Sequence, residues 1–425
     1  MPQDPSAPGG ALAGVLVADF SRVLAGPLAT ATLADLGATV VKVERPGGGD
    51  DTRAWGPPFV DGTAAYFDAA NRSKHGITLD LADPADAAAA RELALRADVL
   101  VENFRPGALA RYGLDHAALS AANPGLVYCS ITGFGGDSPL PGYDFVVQAM
   151  GGLMSITGAE QGPPTKVGVA LVDVLTAKDA VTAILAALRH RDRTGRGQLV
   201  EVNLLSSLLG SLANQASGYL ATGQAPRAMG NQHPSIAPYE TLRCASASSP
   251  GGTGLLAVAC GNDGQFRALA EAVGQPELAV DPRFATNPER VRHRPALVAA
   301  LERALAADSA PGWQRRLGAV GVPCGPVNDL AGAFALAERL GLEPVAEVGP
   351  GRVPQVRSPL RLSATPVRTP VAPPRLGQHN SDVRGWLAAP ADPARPLPPP
   401  ISPPTSPPTG GGPANTPAPE SEASP

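Results

Sequence analysis

Residues 15–44 read VLVADFSRVLAGPLATATLADLGATVVKVE, and their reading decides the fold. The apolar run from Val15 to Phe20 reads as a buried strand, Gly26 to Ala38 as a helix with Pro27 in its first turn, and Thr39 to Glu44 as a second strand. Proline suits the first turn of a helix because the N–H it lacks has no partner there. Two buried strands joined by a helix in so short a span form a βαβ unit, which implies a parallel sheet with helices on its faces.

Outward from this unit the alternation continues. A helix is expected over Pro84 to Ala97, strands over Asp98 to Phe104 and Leu126 to Phe134, and a long helix over Asp173 to Arg191 that stops at Gly195 before a strand in QLVEVNLL. The expected fold class is α/β, a doubly wound large domain spanning 11–220. The pattern breaks in ATGQAPRAMGNQHPSIAPY, so 221–240 is expected to be a linker. A smaller α+β domain is expected over 241–335, with a strand in GLLAVACG, a helix after Asn262 and two helices rich in Ala, Leu and Arg. The segment 336–389 is expected to return to the large domain.

Composition narrows the function. With 44% hydrophobic and 17% charged residues, 425 residues bury sizeable cores. The 48 glycines and 47 prolines approach a low-complexity share, but many of the prolines gather in 390–425, which is expected to be a disordered tail, as is the short start 1–10. A formal charge of −4 supplies no basic field, so neither nucleic acid nor an anionic membrane is an expected partner. MPQDPSAPGG has no signal-like apolar run, and no stretch approaches the roughly 18 apolar residues that span a bilayer, so a cytoplasmic protein is expected. Cys129, Cys244, Cys260 and Cys324 lie far apart and read as reduced, mostly buried thiols.

Several chemistries lose their signatures. Glu44 at the end of the second strand invites a dinucleotide, yet the turn SRVLAGP has only Gly26 where three spaced glycines would approach a pyrophosphate. The chain has no GxxxxGK[ST] loop, no HExxH pair and no GxSxG elbow, and its six histidines show no metal-ligand spacing, so no metal site is expected. His233, in the interdomain segment GNQHPS, is expected to border a ligand cleft. Asp173 stands among Val, Ala and Leu at the start of the long helix and admits two readings. One is an N-cap; the other is a half-buried carboxylate that the helix N-terminus keeps ionised for use as a nucleophile.

Taken in order, FSRVLAGP, ATVVKVERPGGGDDTR, NRSKHGITLDL, LVENFRPGALARYGL, the GYD at 142–144, the Asp173 helix and RTGRGQLVEVNLL resemble the family III CoA-transferases, over residues 11–387. That family includes formyl-CoA transferase, carnitine and dicarboxylate CoA-transferases, and α-methylacyl-CoA racemase. The resemblance implies a Rossmann-like large domain, an interlocked homodimer, and coenzyme A or acyl-CoA as substrate with no permanently bound cofactor. It implies that Asp173 attacks a donor acyl-CoA to give a mixed anhydride and then an aspartyl-CoA thioester, which a carboxylic acid acceptor resolves.

CoA contacts carry over by position to Arg45, to Leu79, Asp80, Leu81 and Ala82, to Asn103, Phe104 and Arg105, and to Arg111, with Tyr143 and Asp144 of the GYD triplet beside them. Arginine suits CoA phosphates because its planar fork makes paired contacts. Leu24, Ala25, Gly230 and His233 are implied for the substrate loops, and Gly151, Gly152 and Gly230 read either as oxyanion-stabilising loops or as plain turns. Leu24 stands where formyl-CoA transferase has glutamine, so formate and oxalate are not favoured. Tyr143 stands where the racemase has an acid/base histidine, and a phenol with an ordinary pKa near 10 suits α-proton abstraction poorly, so transfer is favoured over racemisation. A racemase, or an idle CoA-binding scaffold recruiting partners through its Pro-rich tail, are the alternatives.

Overall fold

The computed structural model describes residues 10–136, 138–245, 254–390, 398 and 401. Its central sheet comprises β1 (Leu16–Asp19), β2 (Thr39–Glu44), β3 (Lys74–Thr78), β4 (Val99–Glu102), β5 (Val127–Thr132) and β6 (Leu199–Asn203). These six strands lie in the order β3-β2-β1-β4-β5-β6, and every pairing is parallel, with Leu16 opposite Thr39 and Val17 opposite Val99. The order reverses between β1 and β4, so the chain leaves their carboxyl ends in opposite directions and a crevice opens there.

The helices that place the site are α1 (Ala25–Asp35), α2 (Ala65–Ala70), α3 (Pro84–Arg96), α4 (Asp144–Met150) and α5 (Leu171–Thr194). Successive strand residues point to opposite faces. Val17, Val40, Val99 and Val127 therefore share one core with Leu33 of α1 and Ile184 of α5. Leu16, Ala18, Val41 and Leu100 share the other with Leu93 of α3 and with Val383 and Leu387 of a C-terminal helix, α6 (Asn380–Ala388). Each large apolar side chain so buried contributes about 1.5–3 kcal/mol. Polar contacts fix the returning chain too: His379 donates its N–H to Gly76 O at 2.9 Å, and Arg384 reaches Asp86 at 2.7 Å and Thr78 O at 2.8 Å.

A three-stranded antiparallel sheet, β7 (Tyr239–Arg243), β8 (Leu255–Ala259) and β9 (Cys324–Pro326), carries a separate core that runs from Ala237 to Val322. Helices Asp263–Ala272, Arg294–Leu305 and Ala310–Ala319 cover it.

Element ends differ from expectation in a consistent way. The strands expected over Val15–Phe20, Asp98–Phe104 and Leu126–Phe134 stop early, at Asp19, Glu102 and Thr132, and the chain beyond brings Arg22, Asn103, Phe104 and Gly133 to the crevice. The long helix starts two residues before Asp173 and ends at Gly195, which adopts φ 71° and donates its N–H to Arg191 O at 2.7 Å. Gly10, expected in a disordered start, is buried. The rest of that start, and the tail beyond Pro390 apart from Pro398 and Ile401, lie outside the described residues. Cys129 and Cys260 are buried as expected, whereas Cys244 and Cys324 are half-buried, and all four are free thiols. No helix among the described residues is long and apolar enough to cross a membrane.

Candidate active site

The crevice is a cleft of about 720 Å³. Residues 22–25 after β1, 103–106 after β4 and the end of β5 form its walls, with Tyr143 and Asp173 facing onto it. Two backbones meet at one wall. A Cβ on Gly133 would lie 2.3 Å from Gly142 Cα, and one on Gly142 would lie 2.5 Å from Gly133 Cα, so only glycine at both positions lets the turn before α4 press against the end of β5.

That contact carries Asp144 to the start of α5. Ala170, the residue at the N-cap position of α5, offers no side-chain bond. Instead Asp144 Oδ1 accepts the N–H groups of Val172 at 2.7 Å and Asp173 at 3.2 Å, while its Oδ2 accepts from Gln148 Nε2 at 2.6 Å. Asp144 thus caps α5 from another helix, and Asp173 sits inside the first turn rather than at the cap.

This arrangement corrects the expected electrostatics of Asp173. Its carboxylate is 9% exposed and accepts no hydrogen bond from any described residue. Burial, and after it the charge of Asp144, push its pKa up to about 7. The helix N-terminus does not hold it ionised, because Asp144 already occupies the free N–H groups. Tyr66 on α2, which the sequence did not single out, lies within electrostatic reach: burial and then Asp173 and Asp144 hold its phenol above the usual range. No local sequence signal marks it; in the folded chain the Trp55 ring meets it edge-on at 5.5 Å.

Beneath the opposite wall lies a buried ionic network. Lys74 Nζ bonds Asp19 at 2.9 Å, and Lys42 Nζ bonds Asp50 and Ser21 O, each at 3.0 Å. Burial would raise Asp19, but Lys74, Lys42 and the hydroxyls of Ser21 and Thr30 outweigh it and hold the carboxyl at about 2. Asp50 also accepts the N–H of Val23 at 3.2 Å, where the chain adopts φ 70°, a strained value for a β-branched residue.

Of the residues singled out in the sequence, Leu24, Ala25, Asn103, Phe104, Arg105, Tyr143 and Asp173 line this one cleft, and Asp144 stands behind Asp173. Arg45 is exposed and pairs with Asp51, itself a lining residue. Leu79 is buried and follows β3, and Asp80, Leu81 and Ala82 lie beyond it, outside the cleft walls. Arg111 is exposed with its guanidinium 4.6 Å from the Tyr112 ring, also outside.

The structure does not bring Gly230 or His233 to the cleft. His233 packs 5.1 Å from the Tyr239 ring and its carbonyl accepts from Arg294, so it serves the segment leading into β7. The N–H groups of Gly151 and Gly230 are taken by Val147 O at 2.8 Å and Gly158 O at 2.9 Å, and Gly152 lies outside the cleft. The glycines that line it are Gly133, Gly135, Gly136 and Gly142. Sequence reasoning also missed Arg22, which lines the cleft with its guanidinium 4.8 Å from the Phe104 ring. Among the described residues no cluster of His, Cys, Asp and Glu could hold a metal ion.

Comparison with known proteins bears on the family and the fold. Residues 12–380 match the model of CoA-transferase family III. The chain is 44% identical over 393 residues to a succinate–glutarate CoA-transferase of Agrobacterium fabrum, covering 88% of this chain and 95% of that protein. It is 40% identical to an acetyl-CoA:oxalate CoA-transferase of Acetobacter aceti, covering 91% and 98%. A crystal structure of a CaiB/BaiF family protein from Brucella suis superposes with a TM-score of 0.80 at 44% identity, over 89% of this chain and all of that one.

Proposed function

The chain belongs to CoA-transferase family III, and we propose that it moves CoA from succinyl-CoA to a dicarboxylic acid of glutarate's class through a covalent intermediate on Asp173. The observation that carries this reading is a buried carboxylate in the first turn of α5 that opens into the cleft and accepts no hydrogen bond from any described residue. A carboxylate raised to about 7 is less solvated and more basic than an ordinary one.

In the proposed sequence an Asp173 oxygen attacks the thioester carbonyl and the CoA thiolate leaves, giving an acyl–aspartyl anhydride. The thiolate then attacks the aspartyl carbonyl, so that succinate departs as a carboxylate and an aspartyl-CoA thioester remains. The acceptor carboxylate attacks that thioester and the two steps run in reverse. One thioester and one carboxylate enter and leave, so the exchange is near thermoneutral and needs no resident cofactor. The protein's task is to position weak nucleophiles and exclude water. For the oxyanions the backbone amide of Gly136, which lines the cleft, is the donor proposed, because the N–H of Gly135 is already taken by Thr132 Oγ1 at 3.1 Å.

The CoA contacts are proposed at Asn103, Phe104 and Arg105, with Arg45 at the rim beyond Asp51. A homodimer acting in the cytoplasm is proposed with them.

The test is a panel of acyl-CoA donors against glutarate, oxalate and monocarboxylic acids, with the CoA products read by mass spectrometry. Glutaryl-CoA formed from succinyl-CoA is the expected product. Solvent deuterium entering the α-carbon of a 2-methylacyl-CoA without an acceptor acid would instead select racemisation.

A further inference from the structure

A dicarboxylic substrate brings a second, unreacting carboxylate into the cleft, and that charge needs a cation. Among the described lining residues only Arg22 and Arg105 are cationic. Arg105 follows Asn103 and Phe104 on the wall proposed for CoA, whereas Arg22 belongs to the loop that leads through Val23 and Leu24 into α1. No described carboxylate pairs with Arg22; its guanidinium rests 4.8 Å from the Phe104 ring.

The way this arginine is held sets it apart. All four polar groups of the two peptide units that flank it are bound by side chains from elsewhere in the chain. Ser21 O accepts from Lys42 Nζ at 3.0 Å, and Arg22 N–H donates to Asn103 Oδ1 at 2.8 Å. Arg22 O accepts from Asn103 Nδ2 at 2.7 Å, and Val23 N–H donates to Asp50 Oδ2 at 3.2 Å. Lys42 and Asp50 are fully buried, and their hold keeps Val23 at φ 70°. A surface cation with no ligand to meet needs no such anchoring; a guanidinium that must meet a carboxylate in a fixed place does.

We infer that Arg22 is a specificity-determining residue that receives the distal carboxylate of the dicarboxylic acyl group, on succinyl-CoA and on the acceptor alike. The inference rests on the dicarboxylate reading proposed above. Asn103, Lys42 and Asp50 act through it as positioning residues.

The test compares glutarate with its monoamide, which keeps the reacting carboxylate and replaces the distal one by a neutral isostere, as acceptors in the full chain with succinyl-CoA as donor. Arg22→Gln should lower the ratio of kcat/KM for glutarate over the monoamide by about 10- to 100-fold, mainly through the acceptor KM, and Arg22→Lys should recover part of it. The ratio for succinyl-CoA over butyryl-CoA should fall in the same direction. Equal losses for acid and amide, or for both thioesters, would make Arg22 a contact to CoA itself and overturn the assignment, as would an unchanged ratio. A wild-type protein that moves CoA only to monocarboxylic acids overturns the dicarboxylate reading first, before any variant is made.

Discussion

Asp19 and Asp173 are both buried aspartates near one cleft, yet their carboxyls sit at about 2 and about 7. Asp19 is the more deeply buried, so burial does not decide between them. Partners do. Two ammonium groups and two hydroxyls surround Asp19, whereas Asp173 has another carboxylate beside it and accepts no hydrogen bond from any described residue. A satisfied carboxylate such as Asp19 ties Ser21, Thr30 and Lys74 together and has no lone pair left for a substrate. An unsatisfied one keeps its lone pairs for a substrate, at the cost of being hard to ionise.

Removing the unsatisfied group should break the comparison most sharply. Asp173→Asn is expected to lower transfer by at least about 10³-fold while the fold persists, because the amide is a far poorer nucleophile and no described bond is lost. Stability gives an independent readout. Asp173 has a folded pKa above its unfolded value, so the folded chain holds more protons between about pH 4 and 7, and wild-type stability falls as pH rises through that window. Thermal melts should therefore show the variant gaining on the wild type from pH 4 to 7. Parallel profiles, or near-normal turnover, would refute the role given to Asp173.

The satisfied group should fail in the opposite sense. Asp19→Asn leaves Lys74 buried without its anion and should destabilise the chain by about 3–5 kcal/mol. Its pH signature is also reversed: the folded pKa lies below the unfolded one, so its contribution is present above about pH 4 and is lost as pH falls toward 2. Adding Lys74→Met should restore part of the loss, since the double variant buries no unpaired charge. A single variant that melts with the wild type would mean that the network contributes nothing net.

How much of this was legible in the sequence divides along the same line. The strand Thr39–Glu44 and the stop at Gly195 depend on neighbours in sequence and were readable from period and turn chemistry. Strand β3 was not anticipated, because KHGIT places Lys74 and His75 where a buried strand normally shows apolar residues. Lys74 is buried there only because Asp19 and Asn71 wait for it, a fact no local pattern carries. Its apolar surroundings and the motif resemblance both single out Asp173, but the capping by Asp144 from 29 residues away, which undoes the expected dipole effect, needed the folded chain. Arg22 escaped for the same reason, since its clasp by Asn103 spans 81 residues. Within the single chain His233 stands away from the cleft, because its carbonyl accepts from Arg294 and its ring packs on Tyr239, contacts that no local pattern carries.

The smallest expected effect concerns a third kind of carboxylate, Asp51, which lines the cleft yet stands in solvent. Its partner Arg45 is 57% exposed and Asp51 itself 41%, so water screens their attraction and the pair should add less than about 1 kcal/mol. Arg45→Ala should accordingly leave the melting temperature close to wild type. If Arg45 meets CoA at the rim, the KM for succinyl-CoA should still rise about 5- to 10-fold, and added salt should shrink the difference, because a phosphate contact at this exposure is screened in the same way. A stability loss approaching that of Asp19→Asn would show that exposure does not separate the two pairs. An unchanged KM would remove Arg45 from the CoA site and leave Arg105 as the nearer candidate on the cleft wall.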